Sequence, residues 1–123
     1  MTRERFDADR MPRHVQQPVV TAVAAASEAG RLLMRRFRTA VSVKMKGKTD
    51  IVTEVDVEAQ DLVVRRLRRS FPDHGILAEE GLDATPGAEW RWILDPLDGT
   101  KNFARVIPTF CVAIAAEYRG RVD

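Results

Sequence analysis

The sequence contains one cysteine, Cys111, two histidines and a single tyrosine, and these scarcities exclude several kinds of chemistry at once. One thiol cannot close a disulfide within the chain, and no histidine stands near it in sequence to form a Cys-His catalytic pair. The apolar residues around Cys111 predict a buried thiol kept reduced. His14 and His74 fall in no metal-ligand spacing and read as surface or turn positions. No apolar run approaches ~18 residues, so no membrane span is predicted. The first ten residues mix charges of both signs without an apolar core, unlike a secretory signal or an acid-poor transit peptide, and the expected location is the cytoplasm. Internal repeats and low-complexity stretches are absent.

What is present suits one modest domain. The 123 residues are 45% hydrophobic and 31% charged, with a mean hydropathy of -0.26, a balance that permits a buried core. Lys and Arg number 20 against 18 Asp and Glu, a net charge of +2 too small to argue for a nucleic-acid partner. The arginines at 35, 36 and 38 and at 65, 66, 68 and 69 read instead as cations at helix C-terminal ends. Residues 1–14 are expected to be a flexible tail and residues 15–123 the domain.

Val19, Val23, Ala26, Gly30, Leu33 and Phe37 recur at spacings of four and three, predicting an amphipathic helix with Pro18 in its first turn. Val41, Val43 and Met45 alternate with polar residues, predicting a half-buried strand that Gly47 ends. A turn over 46–50 and a short strand at Ile51-Val52-Thr53 follow. A second helix is expected from near Asp56, acidic at its start and basic at its end, burying Ala59, Leu62, Val63, Leu67 and Phe71 and stopped by Pro72 and Gly75. Ile76–Ala78 and Trp90–Leu94 read as strands separated by a loop over 81–89, with Trp90 and Trp92 on one sheet face. Phe110–Tyr118 is apolar on both faces and is expected at the centre of a sheet. Residues 118–122 read as a hairpin turn without its return strand, so the domain is expected to be unfinished at Asp123.

The run from Trp92 to Phe103 carries the chemistry. Pro96 restricts Asp95 to extended angles and fixes its own φ, so the chain is expected to turn sharply and face Asp95 and Asp98 toward one point. Gly99 is expected to let the backbone approach an anion. A helix opened by Thr100 adds a hydroxyl, free amides and the positive end of its dipole. Glu79 stands just past the strand Ile76–Ala78. Alone, Glu79-Glu80 reads as a solvated strand end and the run from Asp95 to Thr100 is open to reading as a plain turn; together they point to a site. Carboxylates ~4 Å apart repel by about 4 kcal/mol per pair at an effective dielectric near 20, so the cluster needs a cation or a shared proton. An all-oxygen set favours Mg²⁺ or Mn²⁺ over zinc. Such an ion beside a phosphate ester can activate water and neutralise the leaving oxygen, with the amides of Gly99 and Thr100 on the phosphoryl group and with Glu79 and Thr100 orienting the water.

The segments 75–80 (Gly-Ile-Leu-Ala-Glu-Glu) and Trp92–Phe103 resemble the two metal motifs of the inositol monophosphatase family, Mg²⁺-dependent and lithium-sensitive phosphomonoesterases. Residues 46–50 and 52–56 also resemble the family's segment before its second helix, so the likeness runs from about Val19 to Asp123. The resemblance implies an α/β fold, a layered sandwich of the sugar-phosphatase type with two N-terminal helices on a mainly antiparallel sheet and the C-terminal half missing. It implies metal ligation by Glu79, Asp95, the Leu97 carbonyl and Asp98. It further implies substrate binding by Leu97, Asp98, Gly99 and Thr100, and catalysis by Glu79, Thr100 and Asp56, with Asp56 bonded to the Thr100 hydroxyl. Lys46 is placed near the site. The implied reaction is hydrolysis of inositol phosphate to inositol and phosphate with Mg²⁺. The alternatives are another ester used by relatives (histidinol phosphate, fructose bisphosphate or a nucleotide 3'-phosphate), or an inactive remnant that binds metal and phosphate. The expected partner is a small phosphorylated polyol, with no nucleic acid and no membrane, in a homodimer as is common in the family. Two departures stand out: Arg105-Val106 occupies the place of a usual His-Gly, and the family is much longer, drawing a further metal-binding aspartate and most substrate-selecting residues from its second half.

Overall fold

A computed structural model describes residues 8–39, 41–47 and 50–122. Its first element after a 3₁₀ turn at Ala8–Arg10 is helix α1 (Arg13–Arg36), which begins five residues before Pro18. Pro18 therefore sits inside the helix, buried, where it offers no N–H to the carbonyl four residues back. Arg13 and His14, expected in the tail, are helical; residues 1–7 lie outside the described residues.

The buried stripe of α1 is Pro18, Thr21, Ala25, Ala29 and Leu33, sharing only Leu33 with the expected one. Small residues let a second helix approach closely, so the alanines face α2 (Glu54–Ser70) and Val23, 44% exposed, is turned aside. Arg36, at the end of α1, donates to Glu54 and Glu58 at the start of α2 at 2.7 and 2.5 Å, and Glu28 faces Arg66 at 3.8 Å. These pairs run the helices antiparallel and give Arg36 a specific partner set beyond the helix dipole. The helix α2 starts at Glu54 because Thr53 caps it, its hydroxyl accepting from the Asp56 N–H while the Asp56 carboxylate accepts from the Thr53 N–H.

Strands β1 (Val43–Lys46) and β2 (Asp50–Thr53) form an antiparallel hairpin, with Lys48 and Thr49 of the expected turn outside the described residues. Val43 and Met45 are 49% and 65% exposed, so β1 is not half-buried. The other strands are β3 (Gly75–Ala78), β4 (Leu82–Ala84), β5 (Trp90–Asp98) and β6 (Cys111–Tyr118), arranged β4-β3-β5-β6. The sheet is mixed: β3 runs parallel to β5, and the β3-β4 and β5-β6 pairs are antiparallel. Strand β4 lies within the expected loop, where three residues beside Gly81 are too few to show a period. Among the described residues strand β6 lies at the edge of the sheet rather than its centre, and Cys111 is exposed rather than buried. The expected hairpin turn closes through Tyr118 and Arg121, which exchange backbone bonds of 2.8 and 3.0 Å.

Both helices cover one sheet face, burying Ala25, Ala29, Val63 and Leu67 against Ile76, Trp92 and Leu94. His74 belongs to this packing and not to a bare turn. It stacks on Phe71 at 4.5 Å and on Trp90 at 5.6 Å, and its Nδ1 accepts from Trp92 Nε1 at 3.0 Å. Burial lowers its pKa, in keeping with a neutral acceptor. A second cluster joins Leu33, Val55, Ala59, Leu97 and Phe103, with Phe37 and Phe110 packed on it. Among the described residues no helix is long and apolar enough to cross a membrane.

Candidate metal and phosphate site

Strand β5 continues through Asp98 instead of ending in a turn at Asp95. Asp95 pairs with Ala113 and Asp98 with Cys111, so three steps on β5 match two on β6 and one residue is extra. In a plain strand a spacing of three would put the two carboxylates on opposite faces. The bulge resets the alternation, and Asp95 and Asp98 line the same cavity. Pro96, with no N–H to offer the ladder, suits this irregular position. Leu97, 2% exposed, anchors the segment in the second core cluster.

Gly99 follows with φ 93° and caps the short helix α3 (Thr100–Ala104). A Cβ at Gly99 would stand 2.9 Å from the Thr109 carbonyl oxygen. Its bare side therefore faces the protein's own chain rather than an open anion site. The rings of Phe37, Phe103 and Phe110 meet at centroid distances of 5.0–5.8 Å beneath α3 and hold it in place.

The Thr100 hydroxyl donates to Asp56 Oδ1 at 2.7 Å, the bond that the family resemblance implies, with the Leu97 carbonyl oxygen 3.2 Å away. Asp56 is 3% exposed and also accepts from the Thr53 N–H at 2.8 Å and from the Thr53 hydroxyl. The capping box of α2 thus doubles as the mount for Thr100. Across the cavity, Glu79 and Glu80 follow β3, where Glu79 N–H donates to the Leu94 carbonyl and Glu80 N–H to Gln60 Oε1, both at 3.0 Å.

Glu79, Glu80, Asp95, Leu97, Asp98, Gly99, Thr100 and Lys101 line one cavity of about 220 Å³, with Lys46 and Ile51 from the hairpin at its side. Sequence reasoning misses Thr53 and Gln60 as supports; the spacing Thr53-x-x-Asp56 is a signal that points to the first, and only the fold shows the second. Asp95 titrates at about 6, raised first by burial and next by the negative charges of Glu79 and Asp98, while the Leu97 backbone bond acts in the opposite sense. Glu80 is raised as well, mainly by burial. This excess of negative charge on an all-oxygen donor set fits a hard divalent cation. Among the described residues, however, no three Asp, Glu, His or Cys side chains close on one point at metal-holding distance. Repulsion keeps uncompensated carboxylates apart, and Glu79 meets the Lys46 ammonium at 3.3 Å.

Comparison with known proteins places this arrangement. The model of the inositol monophosphatase family matches residues 15–123. A Pseudomonas aeruginosa protein named Nus factor SuhB is 42% identical over 113 residues, covering 87% of this chain and 42% of that protein. The solved extragenic suppressor protein SuhB of Bartonella henselae has a TM-score of 0.83 at 36% identity, over 86% of this chain and 42% of its own. An IMPase/NADP phosphatase solved with Mg²⁺ and phosphate has a TM-score of 0.72 at 27% identity, over 86% and 41%. The chain spans about two fifths of the length of the relatives it matches. A sequence match across the helices, the mixed sheet and both acidic stretches, together with a shared fold, shows that the chain belongs to the inositol monophosphatase family.

Proposed function

We propose that this chain contributes the metal- and phosphate-binding part of a Mg²⁺-dependent phosphomonoesterase that cleaves inositol phosphate to inositol and phosphate. The supporting observation is that Glu79, Asp95, Asp98 and the Asp56-tethered Thr100 line one cavity. Glu79, Asp95, Asp98 and the Leu97 carbonyl would hold Mg²⁺, which when bound activates water and offsets charge on the leaving oxygen. Thr100 donates its single hydroxyl proton to Asp56, so its lone pairs are left to accept a hydrogen bond from a water. Glu79 supplies a second acceptor and a place for the water's proton, and the two acceptors together aim the water's free lone pair at phosphorus. Gly99, Thr100 and Lys101 present first-turn amides, and Lys101 an ammonium, to the phosphate oxygens. Asp98, with Leu97, lies against the same phosphate.

Histidinol phosphate, fructose bisphosphate and a nucleotide 3'-phosphate are the rival substrates of this reading. Assembly as a homodimer, a cytoplasmic location and a small-molecule rather than nucleic-acid partner belong to the same proposal. A second reading, a metal- and phosphate-binding module without turnover, is favoured by the spacing of the carboxylates, since among the described residues no three of them close on one point. The first test is binding: inorganic phosphate titrated calorimetrically with and without Mg²⁺. Binding that requires Mg²⁺ and vanishes in Asp98→Asn is expected, and phosphate binding indifferent to Mg²⁺ would overturn the reading. Turnover of all four esters by these 123 residues alone is expected to be negligible; release abolished by Asp98→Asn would show that this chain's ligands suffice.

A further inference from the structure

Among the described residues, the β1–β2 hairpin reaches the acidic cavity through one cation, Lys46. Lys46, the last residue of β1, places Nζ 3.3 Å from Glu79 Oε1, 3.4 Å from the Glu79 carbonyl oxygen and 3.6 Å from Glu80 Oε2. Among the described residues it is the only cation in an ion pair with any of Glu79, Glu80, Asp95 and Asp98. The apolar side chains of β1 add little anchorage, since Val43 and Met45 stand largely in solvent. Lys46 thus holds a carboxylate oxygen that a bound divalent cation would need.

We infer that Lys46 is the resident counter-cation of the metal-free cluster, and that a divalent cation entering the cavity displaces its ammonium from Glu79 and so frees the side of the cavity that the hairpin occupies. The inference rests on the metal-site reading above. A cation at Glu79 competes for the same Oε1 and repels a neighbouring ammonium. Lysine is suited to leaving: its ammonium is a strongly hydrated point charge on a flexible stem, without the bidentate grip of arginine. The Nζ–Oε1 separation of 3.3 Å is a loose contact for a charge-assisted bond. The pair is also partly open to water, with side-chain exposures of 38% for Lys46 and 52% for Glu79. Glu80, only 14% exposed, is the partner to which the ammonium can shift.

The test uses the full chain and two readouts. Calorimetry of Mg²⁺ binding is expected to show about fivefold tighter affinity in Lys46→Met than in wild type, the factor for losing one partly exposed ion pair as competitor. Brief acetylation with an N-hydroxysuccinimide ester, read by mass spectrometry, is expected to label Lys46 about threefold faster in saturating Mg²⁺ than in EDTA. Lys44, exposed on the same strand, should label at an unchanged rate, and NaCl of equal ionic strength should have no effect. If Mg²⁺ binds wild type but Lys46 labelling does not rise, or Lys46→Met binds no tighter, the displacement is refuted while the metal site stands. If neither protein binds Mg²⁺, the metal-site reading fails and the displacement falls with it.

Discussion

Asp95→Asn should make the cation-free protein more stable while removing its response to Mg²⁺, the behaviour of a site that costs stability until its ion arrives. The Asp95 carboxyl titrates at about 6 against an ordinary 3.8. At full enclosure that difference corresponds to about 3 kcal/mol, and partial exposure reduces it to about 1–2 kcal/mol. Because the folded value is the higher, the favourable contribution is complete below pH 4 and is lost as pH rises through 6. Urea unfolding followed through Trp90 and Trp92 in EDTA should therefore show Asp95→Asn more stable than wild type by about 1–2 kcal/mol at pH 8, with the gap closing toward pH 4. Saturating Mg²⁺ at pH 8 should stabilise wild type and leave Asp95→Asn unchanged. A variant that is less stable than wild type at pH 8 in EDTA, or a gap independent of pH, would refute the electrostatic account of the cluster.

Other expectations follow from the supports of the site. Gly99→Ala should destabilise by at least about 2 kcal/mol in thermal or urea unfolding, since it combines a left-handed backbone with a contact against the Thr109 carbonyl. Leu97→Ala removes a core side chain from under the bulge and should cost about 2–5 kcal/mol by the same assays. Thr53→Ala should cost about 1–2 kcal/mol as a lost cap, and Mg²⁺-dependent phosphate binding should weaken with it because Asp56 loses its mount. Thr100→Val should leave Mg²⁺ affinity within about twofold by calorimetry, since its hydroxyl is assigned to water and Asp56 rather than to the metal.

The second helix and the acidic stretches were legible because their signals are local. The polarity of α2, from Glu54 to Arg69, follows the helix dipole. The carboxylates at 79, 95 and 98 sit at the ends of short apolar runs whatever the sheet order. The bond between Thr100 and Asp56 spans 44 residues and was available only through the family resemblance. On α1, hydrophobic period alone ranked the valines first, whereas close helix packing selected Ala25 and Ala29 for burial. The sharp turn expected at Pro96 is a bulge within β5, because pairing with β6 extends the strand past the proline. Strand β6 is apolar on both faces, but only the face of Val112, Ile114 and Ala116 packs against the helices, and no local pattern tells which face they cover. Cys111 and Ala113, on the other face, are exposed.

The central claim is that two separate acidic stretches hold one divalent cation, and the most direct measurement is the anomalous diffraction signal of Mn²⁺ in crystals of this chain. A peak within bonding distance of Glu79, Asp95, Asp98 and the Leu97 carbonyl, absent from crystals of Asp98→Asn, is the predicted result. A well-diffracting crystal at saturating Mn²⁺ with no peak in the cavity, or with the ion held elsewhere, would contradict it.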